Sequence, residues 1–409
     1  MFRGNYMNHP FNPLTKALSS AGCFELADRE LLDEREVDLF ELMSFDNVAC
    51  PLRTPDDHQY SSMIAIARLA IDCAENATPA IVLQKKKTPK GEVVTHQFSR
   101  WFETHQSSFD QCMLFETQDF KVGSEILSYV DARSAYPDTP LLQFLPPFGV
   151  PLEPSNIDMI QQLNQFINRI RENMLGSETK SELRKRRKSC RKNYRSCIKW
   201  LGKYLNTYSK VLVLRLDLYY KFDISELINT SPDFNGSRHN AHCLMTIKAD
   251  VDRLLGDFRS DPVLKEIIGY CLKFEHGSYK GQHVHCILLL DGHDHQKDVK
   301  WAEDIGQHWV KLTNGRGSYH NCNRNSSDYK YPCTGKISYD DHEKIHNLCR
   351  CLAYFCKADQ YFLFGPLACF RTIQKSVAPK EQSGLGRPRE KKCASLTFDS
   401  VKKFYKGKC

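Results

Sequence analysis

The chain has 409 residues, 41% of them hydrophobic, with a formal net charge of +8. That length suits two or three domains with real cores and excludes a disordered polyelectrolyte. Met1 to Pro10 carries no apolar h-region and no uninterrupted run of about 18 apolar residues occurs, so export and membrane insertion are not expected and a cytoplasmic protein is. The odd count of seventeen cysteines, without a signal peptide, reads as reduced thiols.

Residues 1–135 read as an accessory region to which no chemistry can be assigned. Helical spacing occurs over 28–43 and 61–73, and strand-like pieces over 80–84 and 92–98 flank a turn containing Lys85, Lys86, Lys87, Pro89, Lys90 and Gly91, which suggests a basic-tipped hairpin. Six prolines between positions 136 and 154 mark a linker, since proline sustains neither helix nor inner strand. From Ser155, the expected N-cap, Ile157, Ile160, Leu163, Phe166, Ile167 and Ile170 recur at helical spacing. Gly176-Ser177 interrupts this pattern, and a second helix is expected over 181–208.

That second helix makes residues 155–208 a basic helical segment. Between Lys180 and Lys203 eleven Lys or Arg face one acid, Glu182, which more than accounts for the net charge of the chain. Arg184, Lys185, Arg186, Arg187, Lys188, Arg191, Lys192 and Arg195 form the densest part. They are the candidate contacts to a polyanion, whose counterions they would release. Leu183, Cys190, Tyr194, Cys197, Ile198, Leu201 and Leu205 make a seam on the other side along which the helix can dock.

Residues 210–220 alternate strongly, with Leu212, Leu214, Leu216 and Leu218 on one face and Arg215, Asp217 and Tyr219 on the other. A helix over 240–258, strands over 265–276 and 282–291, and a helix over 297–312 follow. The order strand, helix, strand, strand, helix predicts a ferredoxin-like α+β sandwich over 209–376, with helices on one face of an antiparallel sheet and the other face open. Residues 377–409 read as a basic flexible tail.

The strands over 265–276 and 282–291 form a hairpin that concentrates metal-ligating residues. His283 and His285 point the same way with Val284 in the core. If Gln282 pairs with His276, Glu275 falls opposite His283, and two imidazoles and a carboxylate share one patch. Such a set suits a divalent ion, manganese, zinc or magnesium, with positions left for substrate oxygens. Asp217 and His276 compete with Glu275 as the third ligand. Further along, a helix over 340–361 places Tyr354, Lys357 and Tyr361 along one ridge. A phenol attacks phosphorus poorly unless the phosphoryl group is made more electrophilic. A metal on the histidines would do that, Lys357 would stabilise developing charge, and the product would be a phosphotyrosine link.

His283-Val284-His285 on a hydrophobic strand, followed by Tyr354-Phe355-Cys356-Lys357, resembles the HUH superfamily of single-strand endonucleases in its replication-initiator order. More narrowly, Val213 to Asp217, Phe274-Glu275-His276-Gly277, Gly281 to His285, Gly317 to Asn323, Tyr354 to Gln360 and Arg371-Thr372 look like the inovirus-type replication protein family, which includes the YagK/YfjJ C-terminal domain of prophage proteins. The resemblance spans about residues 205 to 376. It implies that His283 and His285 bind Mn2+ or Mg2+ and that Tyr354 is the nucleophile, with Lys357 its helper and Tyr361 a second tyrosine for rejoining. The implied activity is nicking of single-stranded DNA at an origin of rolling-circle replication, giving a 5′-phosphotyrosine link and a 3′-OH primer, with host helicase and polymerase as partners. A non-cutting DNA-binding regulator and a transposase or mobilisation nuclease are the alternatives.

Overall fold

The computed structural model describes residues 55–89, 91–113, 120–221, 236–277, 281–329, 331–357, 362–364 and 371–379. The contact pattern divides the chain after Leu52, and every described residue belongs to the second unit. The helix expected over 28–43 and nearly all of the basic tail lie outside the described residues.

The first half of this unit contains α1 (Pro55–Glu75), the hairpin β1 (Ile81–Thr88) and β2 (Gly91–Phe98), α2 (Gln106–Cys112), β3 (Phe120–Val122), α3 (Ser124–Ala135) and α4 (Pro154–Leu175). Helix α4 turns Ile160, Leu163, Phe166, Ile167 and Ile170 inward, each at most 1% exposed, against α1 and α3. Its cap is Glu153 rather than Ser155. Pro154 takes the first helical position, where its missing N–H costs nothing, and Glu153 and Asn156 satisfy each other's backbone N–H groups in a capping box. Asn164 holds β1 on α4 by accepting from the Ile81 N–H at 3.1 Å and donating to its carbonyl at 2.8 Å. Arg171 donates to the carbonyls of Cys73, Asn76 and Thr78, closing the C-terminal end of α1 with a cation.

After Gly176 the chain enters α5 (Ser177–Thr207) and then the antiparallel sheet. Its elements are β4 (Lys210–Tyr220), α6 (Gly236–Asp257), β5 (Ile267–Gly277), β6 (Gly281–Asp291), α7 (Asp298–Leu312), β7 (Gly317–Asn321), β8 (Gly335–Ser338), α8 (His342–Lys357), β9 (Phe362–Phe364) and β10 (Ile373–Lys375). The strand order is β10-β5-β6-β4-β7, with β8 sharing the outer edge of β4, while β9 pairs with β3. Asn323 bridges the gap between β7 and β8. Its side chain accepts from the Arg215 N–H and donates to the Val213 carbonyl and to Asp298, standing in for a strand residue. This is the α+β class with an antiparallel sheet.

One face buries Leu212, Leu214, Leu216 and Leu218 of β4 with Val284, Cys286, Leu288 and Leu290 of β6 against α6 and α7. The expectation that the opposite face is open is corrected by the structure. Val211, Val213, Cys271, Ile287 and Leu289 on that side are at most 1% exposed, beneath α5 and α8. The two covering helices pack on each other, with Cys197 Sγ 3.9 Å from Cys356 Sγ. The physical reason lies in the apolar stripes of both helices. Cys197, Ile198, Leu201 and Leu205 of α5 and Ile345, Leu348, Leu352 and Phe355 of α8 are all at most 2% exposed and need a partner surface. The described cysteines are free thiols. No helix of the described residues is long and apolar enough to cross a membrane.

Gly306 of α7 lets the Tyr319 ring lie directly on the helix backbone; a Cβ there would overlap ring carbons. Gly306→Ala, which stabilises an ordinary helix interior by up to about 1 kcal/mol, is expected here to destabilise the protein by about 1–3 kcal/mol. Urea unfolding measures the difference.

Candidate metal centre and nucleophile

The site is laid out by the pairing of β5, β6 and β4. Gly277 pairs with Gly281 and His276 with Gln282, so Glu275 stands opposite His283. On the other side of β6, His285 stands opposite Asp217 and His283 opposite Tyr219. Directly paired residues share a face, so Glu275, His283, His285, Asp217 and Tyr219 all project to the side covered by α8. The hairpin reading of Glu275 as the neighbour of His283 agrees with this register.

The donor atoms converge. His283 Nε2 lies 3.2 Å from His285 Nε2, and His285 Nε2 lies 3.1 Å from a Glu275 carboxylate oxygen. Ligand atoms of all three residues fall within 4.8 Å of one another, and among the described residues this is the one group of its kind. Two donors each about 2.1 Å from a common ion stand roughly 3 Å apart, so the His283–His285 and His285–Glu275 separations suit a shared divalent ion. The set is mixed nitrogen and oxygen, a donor set that divalent ions take.

Asp217 has a different role from the ligands. Its carboxylate accepts from His285 Nδ1 at 2.6 Å, which fixes the tautomer and aims Nε2 at the site. Burial alone would lower the His285 pKa, but the charges and hydrogen bonds of Asp217 and Glu275 outweigh it and raise the imidazole to about 9. His285 Nε2 is left facing His283 and Glu275. His276 has its side chain outside the described residues.

Tyr354 meets this cluster from above. Its ring centroid is 6.0 Å from that of His285, the two planes at 74°, and Phe355 lies 5.9 Å from the same imidazole. Tyr354 is half-buried, while Phe355 is buried and locks α8 onto the sheet. Helix α8 ends at Lys357, whose side chain lies outside the described residues, as does Tyr361.

Periodicity did not single out Lys273 or His320. Lys273 is fully buried, stands opposite His285 across β5 and β6, and donates to Thr372 Oγ1 at 3.1 Å. Its one local signal is the period-2 pattern Lys273, Glu275 on the polar face of β5. His320 pairs with Asp217 across β4 and β7 and so shares the face of the site.

Helix α5 brings its cations toward the same end of the sheet. The Tyr204 hydroxyl donates to the Ile268 carbonyl and Cys197 meets Cys271, so α5 runs antiparallel to β5 and residues 184–195 lie toward the end that carries Glu275. Arg184, Lys185, Lys188, Lys192 and Arg195 are exposed, and Arg191 is half-buried. Arg186 departs from the expectation of an open phosphate contact. Its guanidinium hydrogen-bonds the buried Glu125 of α3 at 2.5 Å, tying α5 to α3, and forms an ion pair with Glu182 of its own helix at 2.8 Å. The side chain of Arg187 lies outside the described residues.

Comparison with known proteins gives one family. The YagK/YfjJ C-terminal domain model matches residues 174–370. These residues, α5 through β9, are thus similar to a family of prophage-like proteins, and they contain every candidate ligand and Tyr354. No curated protein and no solved structure matches the chain.

Two outcomes follow from the carboxylate-held imidazole. Because a metal must displace the His285 proton, Mn2+ affinity measured by titration calorimetry is expected to fall about tenfold per pH unit below about 9, and Asp217→Asn to weaken it about 10- to 100-fold. The raised pKa also stabilises the metal-free fold. That contribution is complete below the ordinary value of 6.5 and is lost as pH rises through about 9, so the metal-free urea midpoint is expected to drop across this window, and less so in Asp217→Asn.

Proposed function

We propose that the chain is a metal-assisted endonuclease and strand transferase that nicks single-stranded DNA through Tyr354. The observation that carries this reading is the meeting of a half-buried tyrosine on α8 with two histidines and a carboxylate on the β5–β6 hairpin. A divalent ion held by Glu275, His283 and His285 would polarise the scissile phosphate. Asp217 keeps His285 oriented for that duty, and Phe355 packs against the same ring to hold α8 in place.

In the step proposed, the Tyr354 hydroxyl oxygen bonds to phosphorus as the bond from phosphorus to the 3′ oxygen breaks. The phenol proton passes to water and the leaving oxygen takes one up, giving a free 3′-OH and a 5′-phosphotyrosine. The link conserves the energy of the phosphodiester for later rejoining. Arg184, Lys185, Lys188, Lys192 and Arg195 would hold the strand by its phosphates. Lys357, on the turn after Tyr354, would stabilise charge on the reacting phosphate, and Tyr361 would serve in rejoining. The resemblance to HUH replication initiators, and to inovirus-type replication proteins within them, supports a role in starting rolling-circle replication of a phage or prophage element in a bacterial cytoplasm.

Incubation with Mn2+ and labelled single-stranded origin DNA is expected to give an adduct that survives denaturation. The adduct should vanish in Tyr354→Phe and fall at least a hundredfold in His285→Ala, with folding unchanged by circular dichroism. DNA binding without any adduct at any metal concentration would contradict the reading.

A further inference from the structure

A second site lies outside the residues that match the family. A cleft of about 320 Å3 opens between the β1–β2 hairpin, α2 and the proline-rich stretch, lined among others by His96, Phe98, Gln106, Asp110, Gln143 and Phe148. That volume is at the small end of ligand clefts. The Phe148 ring packs 5.1 Å from His96 and 5.0 Å from Phe98, yet is itself 56% exposed. An aromatic this exposed, resting on two others, offers a flat apolar face to solvent.

The cleft also contains an unsatisfied polar group. His96 is 3% exposed, and its Nδ1 is buried without a hydrogen-bond partner. Burial lowers the pKa of this imidazole, so at neutral pH it offers one donor and one acceptor. The exposed carboxamides of Gln106 and Gln143 add further donors and acceptors. Asp110 is already engaged, its two oxygens accepting from the Leu142 and Gln143 N–H groups at 2.7 and 3.0 Å. A flat apolar floor edged by neutral donors and acceptors matches a nucleobase, which has a π-face and a hydrogen-bonding edge.

The hairpin supplies charge beside that floor. His96 pairs with Leu83, Val94 with Lys85 and Glu92 with Lys87, so Lys85 and Lys87 share the face that bears His96 and Phe98. At about 3.4 Å per residue they stand roughly 7 and 14 Å further along the strand. Lys85 is 77% exposed and pairs with the half-exposed Glu92 at 3.4 Å, an ion pair weak enough to yield to a phosphate. A proline-rich peptide, the competing occupant of an aromatic groove, would use neither the cations nor the orphaned imidazole nitrogen.

We propose that this cleft binds one base of single-stranded DNA, stacked on Phe148 and hydrogen-bonded to His96, with the flanking phosphates on Lys85 and Lys87. The choice of DNA as ligand rests on the nicking reading; the site itself is independent of Tyr354.

The test is fluorescence anisotropy of a labelled 15-nucleotide single strand with the full-length protein, all variants being made in a Tyr354→Phe background so that no cutting occurs. Phe148→Ala should weaken binding about tenfold and Phe148→Trp should restore it, while an abasic strand of equal length should bind the parent protein as weakly as the intact strand binds Phe148→Ala. Lys85→Ala with Lys87→Ala should lower the slope of log affinity against log salt by about 1.4. Equal binding by Phe148→Ala and its parent, no preference over the abasic strand, or displacement of the DNA by a proline-rich peptide would each overturn the proposal. Failure of the protein that retains Tyr354 to form an adduct, with these binding differences intact, would remove the nicking reading alone.

Discussion

The candidate site depends on one register, the antiparallel pairing of β5 with β6 that sets Gly277 opposite Gly281. From it the positions of Glu275, His283 and His285 follow, because side chains alternate and paired residues share a face. A slip of one residue along β6 would turn both histidines into the leucine-rich core and Val284 and Cys286 toward α8. The core resists that slip: Leu288, Leu290 and Val284 lie among the β4 leucines and the apolar faces of α6 and α7. The burial that stabilises the sheet is thus the same burial that aims the imidazoles.

Around this hairpin the protein gathers charge that is expensive to bury. Asp217, Lys273, His283 and His285 are all under 10% exposed, and Glu275 is only a little more open. Each of them has a partner: His285 lies between Asp217 and Glu275, and Lys273 is held by Thr372. Such an arrangement is poor at stabilising a fold, since well-packed apolar residues would serve as well. The proposed nicking site would give these buried charges a use, since they face Tyr354.

Much of this was legible in the sequence because it is local. Alternation over 210–220 and 282–291 revealed the strands, and the glycines flanking a short loop gave the hairpin, from which the Glu275–His283 pairing followed by counting. The Asp217–His285 bond could not be read this way, because β4 and β6 are separated by a long insertion and no local pattern encodes their register. Asp217 therefore entered only as a rival ligand, whereas the fold makes it the orienting group. The second helical layer escaped for another reason. The apolar seam of α5 was legible as a docking face, but nothing local says which surface it covers, so the sheet face beneath it read as open. Arg186 misled for the same reason, since a cation amid other cations gives no sign that Glu125 of a distant helix awaits it. Ser155 was a better cap by residue type than Glu153, but Pro154 decided the frame.

The central claim is that Glu275, His283 and His285 hold one divalent ion facing Tyr354. Anomalous diffraction at the manganese edge from crystals grown in Mn2+ tests it most directly. The account predicts a single strong peak about 2.0–2.3 Å from Glu275 Oε, His283 Nε2 and His285 Nε2, with the Tyr354 ring on its open side. A peak bound elsewhere, or no peak with the β5–β6 register intact, would contradict it.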